Sequence, residues 1–121
     1  HFEPPVDGYE IMETLGIDEG VAVGIAKTWI REAILEGEIP NEHDPAFAYL
    51  MDIKDEALRR GELFEAMVRR LDGPERAATG AIKDAVFNDP DLPDDRDAAL
   101  QYLDRVKREA LAERRPDEGT A

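Results

Sequence analysis

The chain has 121 residues, of which 42% are hydrophobic, enough for one compact domain of ordinary size. Its 29 acidic and 15 basic residues give a net charge of −14, so it lacks the basic surplus typical of a nucleic-acid-binding domain. The absence of cysteine excludes disulfides and cysteine-based zinc sites.

No apolar run approaches the roughly 18 residues that a membrane-spanning helix needs, and no signal-peptide pattern is present. The sequence therefore predicts no membrane partner. The chain begins at His1 without a methionine, and we expect it to be a piece of a longer protein or the product of tag removal.

The first predicted helix covers residues 8–15. Asp7 is a suitable N-cap, and Glu10 stands three residues later, in the capping-box position. Gly16 follows the last apolar residue and is a typical helix stop. Together these residues predict a short helix with both ends defined.

A second, longer helix is predicted over residues 19–36, with Asp18 as its cap. Gly20 and Gly24 would lie four residues apart in its first turns, where each glycine costs about 1 kcal/mol relative to alanine. Such a cost favours a second helix packed closely on that face. A phosphate at the helix N-terminus is the alternative, and acidic Asp18 and Glu19 argue against it.

Four more helices are predicted, over residues 45–60, 62–71, 74–87 and 95–113. Asp44 followed by Pro45 marks the start of the first of them, and Gly61 separates it from the next. Asp94 or Asp95 can cap the last one. No segment alternates with period two, so the sequence predicts an all-α bundle of about six helices without a sheet.

The chain contains no arrangement typical of a catalytic centre. Serine and cysteine are absent, and no glycine-rich phosphate loop is present. Five aspartates within residues 89–97 lack the glycine and distal glutamate of an EF-hand and read as a solvated acidic loop. His43 reads as a surface-loop histidine. The sequence therefore predicts no catalytic residue, no metal site and no cofactor in this chain.

A distinctive pattern runs through residues 7–41. It consists of Asp7-Gly8, Glu10-Ile11-Met12, Gly16, Gly20, Val23-Gly24 and the run AILEGEIPN at residues 33–41. In order and spacing it resembles the C-terminal helical region, the body and tail, of bacterial tRNA nucleotidyltransferases. These are the CCA-adding enzymes, whose family includes the bacterial poly(A) polymerases. The resemblance is assigned to about the first half of the chain, residues 1–60, and departs at Asp18-Glu19-Gly20, where the family often has a proline before the glycine.

The resemblance implies a tRNA-positioning role within a cytoplasmic enzyme. A catalytic head outside this segment would add CCA to tRNA 3′ ends from CTP and ATP, using Mg²⁺. The segment itself would hold the tRNA by its shape and backbone. Residues 1–60 would form the matched region, 61–113 a helical extension packed on it, and 114–121 a disordered tail.

Five basic residues are candidate phosphate contacts under this hypothesis: Lys27, Arg31, Lys54, Arg59 and Arg60. Each of them could instead be a solvated side chain or a member of an ion pair. Trp29 could stack on a base, although its place in an apolar row favours the core. The alternative function is an acidic helical protein–protein interaction domain, or a homodimerisation domain, without RNA contact.

Overall fold

The computed structural model describes residues 3–113, and these residues form an all-α fold, which confirms the predicted class. Its five α-helices are α1 (Gly8–Leu15), α2 (Val21–Leu35), α3 (His43–Arg70), α4 (Thr79–Asn88) and α5 (Arg96–Glu113). One 3₁₀ helix, Gly73–Ala78, precedes α4. No strand occurs within residues 3–113. The predicted tail, 114–121, lies outside the described residues.

The ends of α1 and α5 confirm their predicted caps. Asp7 Oδ1 accepts a hydrogen bond from the Glu10 backbone N–H at 2.9 Å, and Gly16 ends α1 in the left-handed conformation, with φ 74°. Asp95 Oδ2 likewise accepts from the Ala98 backbone N–H at 3.0 Å at the start of α5. Asp7 and Asp95 each accept a hydrogen bond from a backbone N–H that has no partner within the first turn of its helix.

The start of α2 differs from the prediction. The helix begins at Val21 with Gly20 as its N-cap, so Asp18 does not cap it. The Val23 N–H donates to the Gly20 carbonyl at 3.2 Å. Gly20 therefore stands at the helix boundary, and Gly24 alone lies inside the first turns.

A single helix, α3, replaces the two helices predicted at 45–60 and 62–71. Gly61 lies inside it and is buried against the first turn of α2. A Cβ atom on Gly61 would lie 2.9 Å from Ala22 Cβ and 3.0 Å from the Ala22 backbone nitrogen. Gly61 thus permits a close approach of two helices, and it does not end one. This contact lies at Ala22, and so it does not test the close packing predicted for the face that carries Gly20 and Gly24.

The segment predicted as one helix over 74–87 is divided in two. Pro74 has no N–H to donate, and the turn around it uses short-range bonds, such as that from Glu75 N–H to the Asp72 carbonyl at 2.7 Å. The chain then continues as α4 from Thr79. Five α-helices and a 3₁₀ helix therefore take the place of six helices in the described range.

The chain forms two compact units, His1–Gly61 and Glu62–Ala121. Buried apolar residues of the first unit come from the segment before α1 and from all three of its helices: Val6, Ile11, Leu15, Ala22, Val23, Ile25, Ala26, Ile30, Ala33, Ala46, Leu50 and Ala57. Those of the second unit are Leu63, Ala66, Met67, Leu71, Ala78, Ile82, Ala85, Val86, Leu92, Ala99, Leu100 and Leu103. Each unit therefore has its own set of apolar side chains removed from water.

Within residues 3–113, no helix is both long and apolar enough to cross a bilayer.

Candidate nucleic-acid interface

Lys27 and Arg31 are exposed on α2, one helical turn apart. No carboxylate in the described part of the chain lies within ion-pair distance of either side chain. On a helix, residues four apart project from the same face, with Cβ atoms about 5–6 Å apart. The two positive charges are therefore presented together to solvent.

The Lys27 side chain reaches the first residue of α1. A Cβ atom on Gly8 would lie 3.3 Å from Lys27 Nζ and 3.4 Å from Lys27 Cε, so the missing side chain of Gly8 leaves room for the lysine. Helix N-termini carry a partial positive charge that attracts anions. The Lys27 ammonium therefore lies at the N-terminus of α1, a helix end that the Asp7 carboxylate also caps.

The residue after Gly8 is an exposed aromatic one. Tyr9 follows Gly8 in α1, and 81% of its surface is exposed, the largest value among the exposed large apolar and aromatic side chains. Exposed aromatic faces stack on nucleobases, and phosphates bind to ammonium groups and helix N-termini. Lys27 at the first residue of α1, together with Arg31, supplies groups that could hold a phosphate of an RNA strand. The Tyr9 ring lines a different hollow, beside α1, together with Glu13 and Asp18.

Two acidic side chains at the start of α1 are engaged within the protein. The Asp7 carboxylate caps α1, and Glu10 Oε2 lies 2.7 Å from His43 Nε2. Glu10 therefore connects α1 to the first residue of α3 and does not complete a capping box. His43 Nδ1 lies 3.0 Å from Asp44 Oδ1, so His43 begins a helix between two carboxylates, and its prediction as a loop residue is wrong.

This arrangement predicts a pH-dependent stability. Hydrogen bonds to Glu10 and then to Asp44 raise the pKa of His43 above its usual 6.5. The stabilisation is complete below the unfolded pKa of about 6.5 and is lost as the pH rises through the higher folded value. We expect the urea midpoint to fall over that interval and expect His43→Gln to remove the fall. An equal decline in the variant would contradict the assignment to His43.

Arg59 and Arg60 are used within the protein, around Glu56. Arg59 Nη2 and Arg60 Nε donate to Glu56 Oε2 at 2.8 and 2.7 Å, and Arg59 Nε donates to Oε1 at 3.1 Å. The hydrogen bond from Arg59, followed by that from Arg60, lowers the pKa of Glu56. Arg60 is only 7% exposed, and its guanidinium carbon lies 5.6 Å from the centre of the Trp29 ring. Little of Arg60 is therefore available to a ligand.

Lys54, the remaining candidate, is half-buried on α3 and forms no ion pair with the described residues. The structure therefore separates four of the five predicted contacts into two groups and leaves Lys54 outside both. Lys27 and Arg31 present their charges to solvent, while Arg59 and Arg60 pair with Glu56.

The acidic segment of residues 89–97 is a loop only as far as residue 95, since α5 begins at Arg96, and some of its carboxylates form local hydrogen bonds. The Asp91 backbone N–H donates to Asp89 Oδ1 at 2.8 Å, and the Tyr102 hydroxyl donates to Asp89 Oδ2. The bond to Asp89 also raises the pKa of Tyr102. Among residues 3–113, no group of three or more His, Asp or Glu side chains is arranged to hold a metal ion.

Sequence reasoning missed Gly8 as part of the site and Glu56 as the partner of two candidate arginines. The spacing of Glu56 to Arg59 and Arg60, three and four residues, is the one at which helical ion pairs form, so the signal was present. No sequence signal indicates that Lys27 reaches Gly8, because that contact joins two helices.

Comparison with known proteins gives no relative: no family model, no curated protein and no solved structure matches this chain.

Proposed function

We propose that this chain is an RNA-positioning module that holds the backbone of a structured RNA at the start of α1 and the exposed face of α2. The observation that carries the proposal is the approach of Lys27 Nζ to Gly8, which places a cation at a helix N-terminus. Both features attract a phosphate.

The negative net charge of the chain affects both the affinity for RNA and its dependence on salt. A net charge of −14 repels an RNA at long range, and salt screens that repulsion over a Debye length of about 10 Å at 0.1 M. A site with two to three cationic groups releases few counterions, so its affinity is modest and its salt dependence shallow. Weak binding of this kind is sufficient for a segment that orients an RNA, provided that the rest of the parent protein supplies most of the affinity.

The resemblance of residues 7–41 narrows the RNA class. On that basis we propose tRNA as the partner and a cytoplasmic tRNA nucleotidyltransferase as the parent protein. Its catalytic head would add CCA, or poly(A) in the related enzymes, with Mg²⁺ bound in the head. The chain itself would position the tRNA and would carry out no chemical step.

Removing the two exposed charges tests the proposal. The double variant Lys27→Gln/Arg31→Gln is expected to bind tRNA about tenfold more weakly, because each lost phosphate contact costs roughly 0.5–1 kcal/mol at an exposed site. It is also expected to flatten the slope of log affinity against log salt by about one unit per lost contact. Gel-shift titrations over a salt series measure both quantities.

The matched control is Arg76→Gln/Lys83→Gln, which removes the same charge from two exposed residues of the other unit. The control is expected to keep the wild-type slope and nearly the wild-type affinity. Equal losses in both double variants would show attraction by overall charge alone, and they would contradict a site at Lys27 and Arg31.

A second candidate is a helical protein-interaction or homodimerisation domain. The pairing of Arg59 and Arg60 with Glu56 favours it, because that pairing removes basic charge from the surface of an acidic chain. Sedimentation analysis separates the two functions. A stable dimer that binds no tRNA at any salt concentration would support the interaction domain and exclude RNA positioning.

A further inference from the structure

A cavity of about 350 Å³ opens beside the C-terminal half of α2 in the first unit. Trp29 and Tyr49 contribute aromatic rings to its wall, and Ala33 and Ile53 contribute apolar contact. Three glutamates complete the lining: Glu32, Glu36 and Glu38. The cavity therefore combines aromatic rings with carboxylates. One of those rings, Trp29, also has the Arg60 guanidinium carbon 5.6 Å from its centre.

The C-terminal turn of α2 places Glu38 close to the cavity. Gly37 adopts the left-handed conformation, with φ 81°, and its N–H donates to the Ile34 carbonyl at 3.0 Å. The next N–H, that of Glu38, donates to the Ala33 carbonyl at 2.8 Å. This pair of bonds is a Schellman ending, which reverses the chain. The reversal carries Glu38 back beside the last turns of the helix.

The C-terminal end of α2 carries negative charge without a compensating positive charge. Glu32 and Glu36 lie four residues apart on one face, which is a repulsive spacing, at the negative end of the helix dipole. The last turn of α2 contains no basic residue. No basic side chain within residues 3–113 pairs with these glutamates or with Glu38. A bound cation would relieve the repulsion.

The same negative charges affect the pKa of the Tyr49 hydroxyl. Burial, followed by the charges of Glu38, Glu32 and Glu36, raises the pKa of Tyr49. The carboxylates do not converge as metal ligands do, since they form no metal-holding group. The space between them is large enough for an organic head group, and aromatic faces attract organic cations.

We propose that this cavity binds an organic cation, an alkylammonium or guanidinium group on an apolar stem. The head group lies among the glutamates, and the stem lies against the aromatic rings and Ile53. Two sources supply this chemistry: a free aliphatic amine, or a lysine or arginine side chain of another protein.

Trp29 is the only tryptophan in the chain and lines the cavity, so its fluorescence reports binding directly. The probes are 1,4-diaminobutane and the capped tripeptides Gly-Lys-Gly and Gly-Arg-Gly, each titrated at constant ionic strength against potassium chloride. We expect a saturable change with the organic cations and none with potassium. Tighter binding of the diamine identifies a free amine as the source, and tighter binding of a peptide identifies a protein side chain.

Matched charge variants assign the response to the cavity. Glu36→Gln/Glu38→Gln is expected to weaken binding about tenfold, since two close ionic contacts are lost. Glu13→Gln/Glu19→Gln removes the same charge from exposed positions outside the cavity lining and is expected to leave the affinity within about twofold. A response shared equally by potassium, or equal losses in the two double variants, would overturn the proposal.

Discussion

Replacing Gly61 with leucine is expected to cause a large loss of stability. The Cβ atom alone would lie 2.9 Å from Ala22 Cβ, 3.0 Å from its backbone nitrogen and 3.1 Å from its Cα. Backbone atoms cannot move aside as a flexible side chain can, so α2 and α3 would have to separate. Overpacking costs about 1–3 kcal/mol in typical cores, and we expect Gly61→Leu to reach or exceed the upper value.

Gly61→Ala introduces only the Cβ atom, so its clash with Ala22 is smaller than that of leucine. The loss of folding free energy is also partly offset, because alanine is roughly 1 kcal/mol more favourable than glycine inside a helix. Gly80→Ala in α4 is the control, because a Cβ atom there meets nothing within 4 Å. Urea denaturation should show Gly80→Ala as neutral or stabilising and both Gly61 variants as destabilised. A Gly61→Leu variant as stable as wild type would contradict the close approach of the two helices.

The second large effect is expected at Leu50. Its side chain is fully buried, at 0% exposure, while its neighbour Met51 is 44% exposed. Leu50→Ala should lower the free energy of unfolding by about 2–5 kcal/mol, because it removes buried methyl groups and leaves a cavity. Met51→Ala should change it by less than about 1 kcal/mol.

This adjacent pair tests the orientation of α3 directly. The two variants have the same backbone and nearly the same position in the chain, so only the direction of the side chains separates them. Equal losses, or a larger loss at Met51, would show that α3 presents another face to the core. Chemical denaturation of both variants under one set of conditions provides the comparison.

Helix ends defined by local chemistry could be predicted from the sequence. Asp7, Gly16 and Asp95 act through residues no more than four positions away, so their spacing contains the information. Gly61 could not be assigned in this way. A glycine that stops a helix and a glycine that admits a neighbouring helix look the same in sequence, and the contact with Ala22 decides between them.

The candidate site was predictable in part for the same reason. The exposure of Lys27 and Arg31 follows from their place outside the apolar face of α2. The engagement of Arg60 depends on its burial and on Trp29, which lies on another helix. The neighbourhood of Lys27 and Gly8 depends likewise on how α1 and α2 pack.

The most direct test of an RNA-positioning role is an amide NMR titration of the chain with tRNA at about 50 mM salt, where phosphate contacts are strongest. The account predicts that the shifted amides cluster at Gly8 and Tyr9 and along α2 around Lys27 and Arg31. It also predicts that tRNA recovered from the sample is chemically unchanged. Shifts that avoid those residues, or an unchanged spectrum in excess tRNA, would contradict it.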